Sequence, residues 1–287
     1  MIKNIDGEEL YKSLKSRKTH SNKYDYGHLV CIGGNYTMAG AITMCALAAM
    51  RSGVGLVTLL TREESVISVL KECPEAMVKT IEGFDERQRA EIYQILQKAR
   101  AIVIGPGLGR DAWSRELYNL VLDYLKENKP NCPLLLDADA LYFLSQDHDS
   151  LKSLKHTIVT PHSGEASRLL GGSGSDIDED REGAVKRLAD LSSVALLKGA
   201  QTLIAKREID YEIYQNDLST AALATAGSGD VLSGIIASLI AQGHDCFEAA
   251  RLGTWLHSQA ALEYLKEGYG ERSLIATDII SYLRKFL

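Results

Sequence analysis

Short, mainly aliphatic runs recur along the chain at 29–32, 56–60, 101–104, 134–136, 157–159 and 194–197. Continuous apolar runs of this length fit strands buried on both faces. Between them, segments 41–50, 87–98, 114–126 and 184–191 carry apolar residues at helical spacing. Strand and helix therefore alternate, which is the pattern of a parallel sheet covered on each side. After residue 197 the pattern changes: 202–205 and 209–214 flank a polar turn at Lys206-Arg207-Glu208, which predicts an antiparallel hairpin at a sheet edge. From Asp230 onward the chain reads as mostly helical. The expected fold is α/β, a three-layer α/β/α sandwich with a mainly parallel sheet and an antiparallel edge hairpin.

Composition narrows the class. At 287 residues, 45% of them hydrophobic, the chain can bury a substantial core without cross-links. Thirty-two basic residues against 38 acidic ones give a net charge of -6, which argues against nucleic acid as a partner and for a small molecule. Five cysteines, Cys31, Cys45, Cys73, Cys132 and Cys246, form neither a C-x-x-C pair nor an even set, so a reducing, cytoplasmic setting is expected. The charged N-terminus does not read as a secretory signal. The uncharged stretch 29–50 is long enough to span a membrane, but Gly33-Gly34-Asn35-Tyr36-Thr37 splits it into a strand-like and a helix-like piece, so it reads as core. No linker or repeat divides the sequence; one domain over 1–287, with residues 1–26 as an N-terminal arm, is the expectation.

The segment Ala224-Thr225-Ala226-Gly227-Ser228-Gly229-Asp230 precedes a helical apolar pattern at Val231, Leu232, Ile235, Ile236, Leu239 and Ile240. It reads as a loop opening a helix, whose free amides and partial positive charge suit a phosphate. Asp230 stands beside that position as an acceptor for a hydroxyl proton, so phosphoryl transfer is the indicated chemistry.

In open parallel sheets, ligands bind beyond the carboxyl ends of the strands. Those ends carry Gly33 to Ala41, Gly105-Pro106-Gly107-Leu108-Gly109, Asp137-Ala138-Asp139, Thr160-Pro161-His162-Ser163-Gly164-Glu165 and Lys198-Gly199. The glycine run at 105–109 lacks the spacing of a dinucleotide fingerprint and does not follow the first strand. Asp139 reads first as a helix cap, His162 as either a loop or a site residue, Glu165 as part of a first helical turn, and Lys198 as pointing into a site. His257 and Asp278 read as structural.

Taken in order, Gly33-Gly34, Tyr36 to Ala41, Arg51 to Thr58, Pro74-Glu75-Ala76-Met77, Ile104 to Gly109, Leu136 to Leu141, Thr160 to Glu165, Leu197 to Ala200 and Ala224 to Leu232 resemble the ADP- or ATP-dependent NAD(P)H-hydrate dehydratases. The resemblance runs from about Tyr24 to the C-terminus and implies a ribokinase-like fold. It implies a hydro-lyase that restores hydrated NADH or NADPH (NADHX, NADPHX) with ADP, the nucleotide typical of the bacterial branch, or ATP, with Mg2+. Asp230 would be the catalytic residue. Ala41, Gly107, His162 and Asp230 would line the hydrate site, and Lys198, Gly199, Ala200, Gln201, Thr202, Gly227, Ser228 and Gly229 would hold the nucleotide. Glu165 would take an outer-sphere metal role. Asp230 is expected to be an ordinary carboxylate. A homotetramer is implied, as is a stand-alone enzyme working with a separate NAD(P)H-hydrate epimerase. The chain departs from the pattern at Ser219 and Thr220, where the family usually has Gly-Asn. Two other readings fit the same loop: a vitamin-precursor kinase of this fold, which releases its phosphorylated product, and a non-catalytic nucleotide-binding regulator.

Overall fold

The computed structural model describes residues 1–14 and 16–287. Ten strands, β1 (Ile2–Asn4), β2 (His28–Ile32), β3 (Leu56–Thr61), β4 (Met77–Thr80), β5 (Ala101–Ile104), β6 (Leu134–Leu136), β7 (Thr157–Val159), β8 (Val194–Leu197), β9 (Thr202–Arg207) and β10 (Tyr211–Asn216), form one sheet. Its order is β1-β10-β9-β8-β7-β6-β5-β2-β3-β4, and only β9 runs against the rest.

The helices are α1 (Gly7–Tyr11), α2 (Ala39–Arg51), α3 (Glu63–Glu72), α4 (Glu86–Lys98), α5 (Ala112–Asn128), α6 (Asp139–Leu144), α7 (Ser163–Leu170), α8 (Gly174–Glu179), α9 (Arg181–Leu191), α10 (Ser228–Ala241), α11 (Cys246–Lys266) and α12 (Ala276–Leu283). Because side chains alternate along a strand, each central strand feeds two cores. Leu29, Cys31, Val103 and Leu135 face α2, α10, α11 and α12, whereas Val30, Ile32, Ile102, Ile104, Leu134 and Leu136 face α4, α5, α6, α7 and α9. This is the expected three-layer α/β sandwich, and within 29–50 the strand β2 and the inner face of α2 are buried core, joined by a loop in which Tyr36 and Thr37 are exposed. Among the described residues no helix is long and apolar enough to cross a membrane.

Three details differ from the sequence expectation. The hairpin turn falls at 208–210 rather than at 206–208: Arg207 pairs with Tyr211, Glu208 N–H donates to the Asp210 carbonyl, and Ile209 projects fully into solvent. The hairpin is also not the sheet edge, because β1 pairs in parallel with β10 and covers it. Residues 1–26 are therefore more than an arm, contributing β1 and, through α1, a helix packed on α11. The edge strands β1 and β4 escape pattern reading since neither has a fully buried residue.

The sheet positions the site in two ways. Strand order reverses between β2 and β5, and at such a switch point the loops leaving the strand ends part to leave a crevice. Here Gly34 N–H donates to Pro106 O at 3.1 Å and Asn35 N–H to Gly107 O at 2.7 Å, so the two glycine loops brace each other. On the neighbouring face α10 crosses α2 in direct contact: a Cβ on Gly234 would come within 2.2 Å of the Cys45 carbonyl oxygen. That close approach needs glycine, and it sets the N-terminus of α10 beside α2.

Candidate active site

Gly227 is the N-cap of α10 with φ 85°, a left-handed conformation in which it has no side chain to offer as a cap. The amides of the first turn, Gly229 and Asp230 among them, are thus left without intrahelical or side-chain partners. They open onto a cleft of about 760 Å³ whose lining includes Asp137, His162, Lys198, Ser219, Thr225 and Asp230.

Asp137, at the end of β6, is the most buried ionised group of the cleft, 1% exposed. Its Oδ1 lies 2.8 Å from Lys198 Nζ, and its Oδ2 accepts from Ser233 Oγ at 2.7 Å. Burial alone would push this carboxyl up, but the Lys198 ammonium and the hydrogen bonds from Lys198, Ser233 and Thr160 hold it below the usual range. Lys198 is also 3.8 Å from Glu165 Oε2. Burial works to lower its pKa, yet Asp137 and Glu165 together raise it, so Lys198 stays charged. A Cβ on Gly229 would sit 3.3 Å from Lys198 Nζ, which places the ammonium against the first turn of α10.

Asp230 is not the ordinary carboxylate expected. Burial and the neighbouring Asp137 charge push it up to about 7, with Glu165 and Asp139 adding to the rise and Lys198 opposing it. Sequence alone could not show this, since the raising charges arrive from three other elements.

His162 and Glu165 cap α7 reciprocally. His162 Nδ1 accepts from Gly164 N–H at 3.0 Å, and Glu165 Oε2 accepts from His162 N–H at 2.9 Å. An accepting Nδ1 leaves the proton on Nε2 in the neutral ring. Glu165 is pushed up by burial, with Lys198 opposing. Among the described residues no group of three or more His, Cys, Asp or Glu is placed to hold a metal ion. Asp137 and Glu165, the obvious donors, are taken by Lys198 and by the α7 cap.

Of the residues expected at a site, His162, Lys198, Gly199, Ala200, Thr202, Gly227, Ser228, Gly229 and Asp230 line the cleft; Ala41, Gly107, Gln201 and Glu165 do not. Ala41 and Gly107 lie together in the switch-point crevice, where a Cβ on Gly107 would be 3.1 Å from that of Ala41. Met44, one turn beyond Ala41 on α2, reaches the cleft's edge: a Cβ on Gly227 would meet its Cε at 2.4 Å. Gln201 is exposed. Ser219 and Thr220 line the far end, where Thr220 Oγ1 donates to Glu271 Oε1 at 3.0 Å.

Four supporting residues were not legible as such. Asp139 does not cap α6; it accepts from Gly109 N–H at 2.9 Å and Arg110 Nε at 2.7 Å, pinning the 105–109 loop. Arg181 Nη2 donates to the carbonyls of Leu197, Lys198 and Gln201 at 3.1, 3.3 and 3.3 Å, closing the turn after β8. His257, read as structural, stands directly behind Ser228 and lines the cleft. Ser233 sits inside the apolar helical pattern of 231–240, where nothing local marks it as a partner of Asp137. Asp278 does serve as a helix-start residue, accepting from Ile275 N–H at 3.0 Å.

This arrangement joins an anion-accepting helix start, a fixed ammonium and a carboxylate that titrates near neutrality. The chain is 40% identical over 281 residues to the bifunctional NAD(P)H-hydrate repair enzyme of Coxiella burnetii, covering 98% of this chain and 54% of that protein. It spans about half the length of the bifunctional relatives it matches. It is also 40% identical over 261 residues to the ADP-dependent (S)-NAD(P)H-hydrate dehydratase of Neisseria meningitidis, covering 89% of this chain and 83% of that one. The structure of the ADP/ATP-dependent NAD(P)H-hydrate dehydratase of Bacillus subtilis co-crystallized with ATP/Mg2+ superposes with a TM-score of 0.80 at 27% identity, covering 99% and 97% of the two chains. Residues 29–285 match the family model described as NAD(P)H-hydrate dehydratase, and the chain belongs to that family.

Proposed function

We propose that this protein is a nucleotide-dependent dehydratase, with ADP as the expected co-substrate and ATP as the alternative, that returns the hydrated forms of NADH and NADPH to the intact cofactors. The observation that carries the reading is Asp230, a carboxylate raised to about 7, on the first turn of α10 and facing the same cleft as the Lys198 ammonium. A base with a pKa near the working pH both exists in its charged form and accepts a proton well. Lys198 to Thr202 with Gly227, Ser228 and Gly229 hold the nucleotide, its terminal phosphate against the α10 amides. The hydrate enters from the switch-point side, along Ala41, Gly107 and His162.

Asp230 takes the proton of the C6 hydroxyl as that oxygen attacks the terminal phosphorus, and the bond from phosphorus to the nucleotide breaks. The loose transition state of phosphoryl transfer asks mainly for alignment and for neutralisation of oxygen charge, which Lys198 and the helix amides supply. The phosphorylated C6 oxygen then leaves with its electron pair as phosphate while the ring nitrogen lone pair forms an iminium. Loss of the C5 proton to solvent restores the C5–C6 double bond. No strong acid is needed for this elimination.

The cleft's own donors do not form a magnesium cage, so a magnesium ion would arrive with the nucleotide phosphates and Glu165 would meet it only through water. The wider setting of the reaction is a homotetramer in the cytoplasm, with an NAD(P)H-hydrate epimerase activity interconverting the hydrate epimers. The reading is tested by incubating the protein with hydrated NADH, magnesium and either ADP or ATP while following the return of dihydronicotinamide absorbance. No recovery with either nucleotide overturns it, and phosphorylated hydrate accumulating as the released product would favour a kinase instead.

A further inference from the structure

Asp137 binds two different elements with its two oxygens. Oδ1 holds Lys198, the residue that follows β8, at 2.8 Å, and Oδ2 holds Ser233 of α10 at 2.7 Å. Ser233 lies three residues beyond Asp230, so the two project from one face of the helix. The carboxylate therefore spaces the end of β8 from the start of α10. Closing the strand end does not require a charge, because a largely buried ion pair is often no more stabilising than apolar residues of the same shape. The arrangement makes sense as placement of the ammonium.

We propose that Asp137 is a positioning residue: through its two oxygens it holds the Lys198 ammonium and the first turns of α10 in one register, so that Lys198 and Asp230 address the same phosphoryl group and hydroxyl. The proposal rests on reading Asp230 as the base. Its second effect is electrostatic. The groups that face Asp230 are Asp137 from the end of β6, Asp139 from α6, Glu165 from α7, Lys198 from the turn after β8 and Cys45 from α2, whose thiol is pushed far up and stays neutral. His257 of α11, behind Ser228, is neutral above about 4. Of these, Asp137 supplies the largest charge effect that strengthens Asp230 as a proton acceptor.

The test is the pH dependence of kcat/KM, with hydrated NADH and ADP, for the unmodified protein and for Asp137→Asn, Ser233→Ala and Asp230→Asn, each checked for folding by circular dichroism. Asp137→Asn keeps the shape and removes the charge. Its kcat is expected to fall about tenfold or more with KM for the hydrate within about threefold, and its acid limb to move to lower pH by about one unit. Ser233→Ala keeps the charge and cuts the tie to α10, so kcat is expected to fall several-fold with the acid limb unmoved. The proposal is overturned if Asp137→Asn keeps the parental limb and kcat, or if Ser233→Ala keeps the parental kcat. Should Asp137→Asn not fold, Ser233→Ala decides alone. Parental turnover by Asp230→Asn would instead sink the reading of the site itself.

Discussion

The imidazole Nε2 of His257 lies 3.0 Å from the carbonyl oxygen of Ser228 and 3.2 Å from its hydroxyl. A carbonyl can only accept, so Nε2 carries the proton and the ring braces the start of α10 as a donor. Burial lowers this histidine to about 4, below its unfolded value near 6.5. A depressed pKa means that the folded state disfavours the extra proton. The histidine's contribution to stability is therefore full above about 6.5 and is lost as pH falls through the window down to about 4. His257→Gln, which keeps a donor but cannot titrate, is expected to flatten the acid side of the stability curve over that window. Urea unfolding at a series of pH values measures it; an unchanged acid slope would remove His257 from the account.

Asp230 predicts effects on rate and on stability with different signs. Replacing it with asparagine is expected to cost several orders of magnitude in turnover while nucleotide still binds, measured by single-turnover kinetics and calorimetry. In the unmodified protein kcat/KM should rise with pH through about 7 as the carboxyl ionises. Stability runs the other way. A folded-state pKa raised above the unfolded one favours the folded state below the unfolded pKa, and that advantage is lost as pH rises through about 7. Asp230→Asn is therefore expected to stabilise the protein above neutrality by on the order of 1–3 kcal/mol relative to the parent, and to lose that gain below about pH 4.

Much of the fold is written in local pattern, because strands buried on both faces and the helices between them carry strong periodic signals. The loop that opens α10 is equally legible: Gly227 and Gly229 flank Ser228 and lead directly into an apolar helix. What is not legible is the partnership across the sheet. Asp137 and Ser233 are 96 residues apart, and nothing in either local sequence predicts their contact. The same holds for the near-neutral Asp230, since Asp137 follows β6, Glu165 lies in α7 and Lys198 follows β8. Asp139 shows the opposite failure: its local reading as a cap was reasonable, but Gly109 and Arg110, distant in sequence, claim its oxygens. Edge strands β1 and β4 are short and partly solvated, so no buried pattern marks them.

Gly227 combines a left-handed backbone that favours glycine with a close approach of Met44. Its φ is 85°, and a Cβ there would meet Met44 Cε at 2.4 Å. Gly227→Ala should strain the backbone and push the start of α10 away from α2 together. A loss of about 1–3 kcal/mol in stability and a marked weakening of ADP binding are expected, read by denaturant unfolding and calorimetry. Met44→Ala in the same background relieves the clash but not the backbone strain, so it should restore only part of the stability. Complete restoration would show that sterics alone, and not the left-handed conformation, make glycine necessary.

Arg181 supports the 198–201 turn, proposed above to hold the nucleotide, without lining the cleft. One of its nitrogens ties three carbonyls around the 198–201 turn, and its other terminal nitrogen lies 3.3 Å from Asp178 Oδ1. Hydrogen bonds from a charged donor contribute more than neutral ones, about 1.5–3 kcal/mol each at most, and shared donation lowers that figure. Arg181→Met keeps the apolar stem and removes the tie. The turn carrying Gly199, Ala200 and Thr202 should loosen, whereas Lys198 remains clamped by Asp137 from the other side. The expected signature is a rise in KM for ADP of about tenfold with kcat within about threefold, because ground-state and transition-state binding of the nucleotide weaken together. A fall in kcat at unchanged KM would mean that the turn positions the reacting phosphate rather than the nucleotide as a whole.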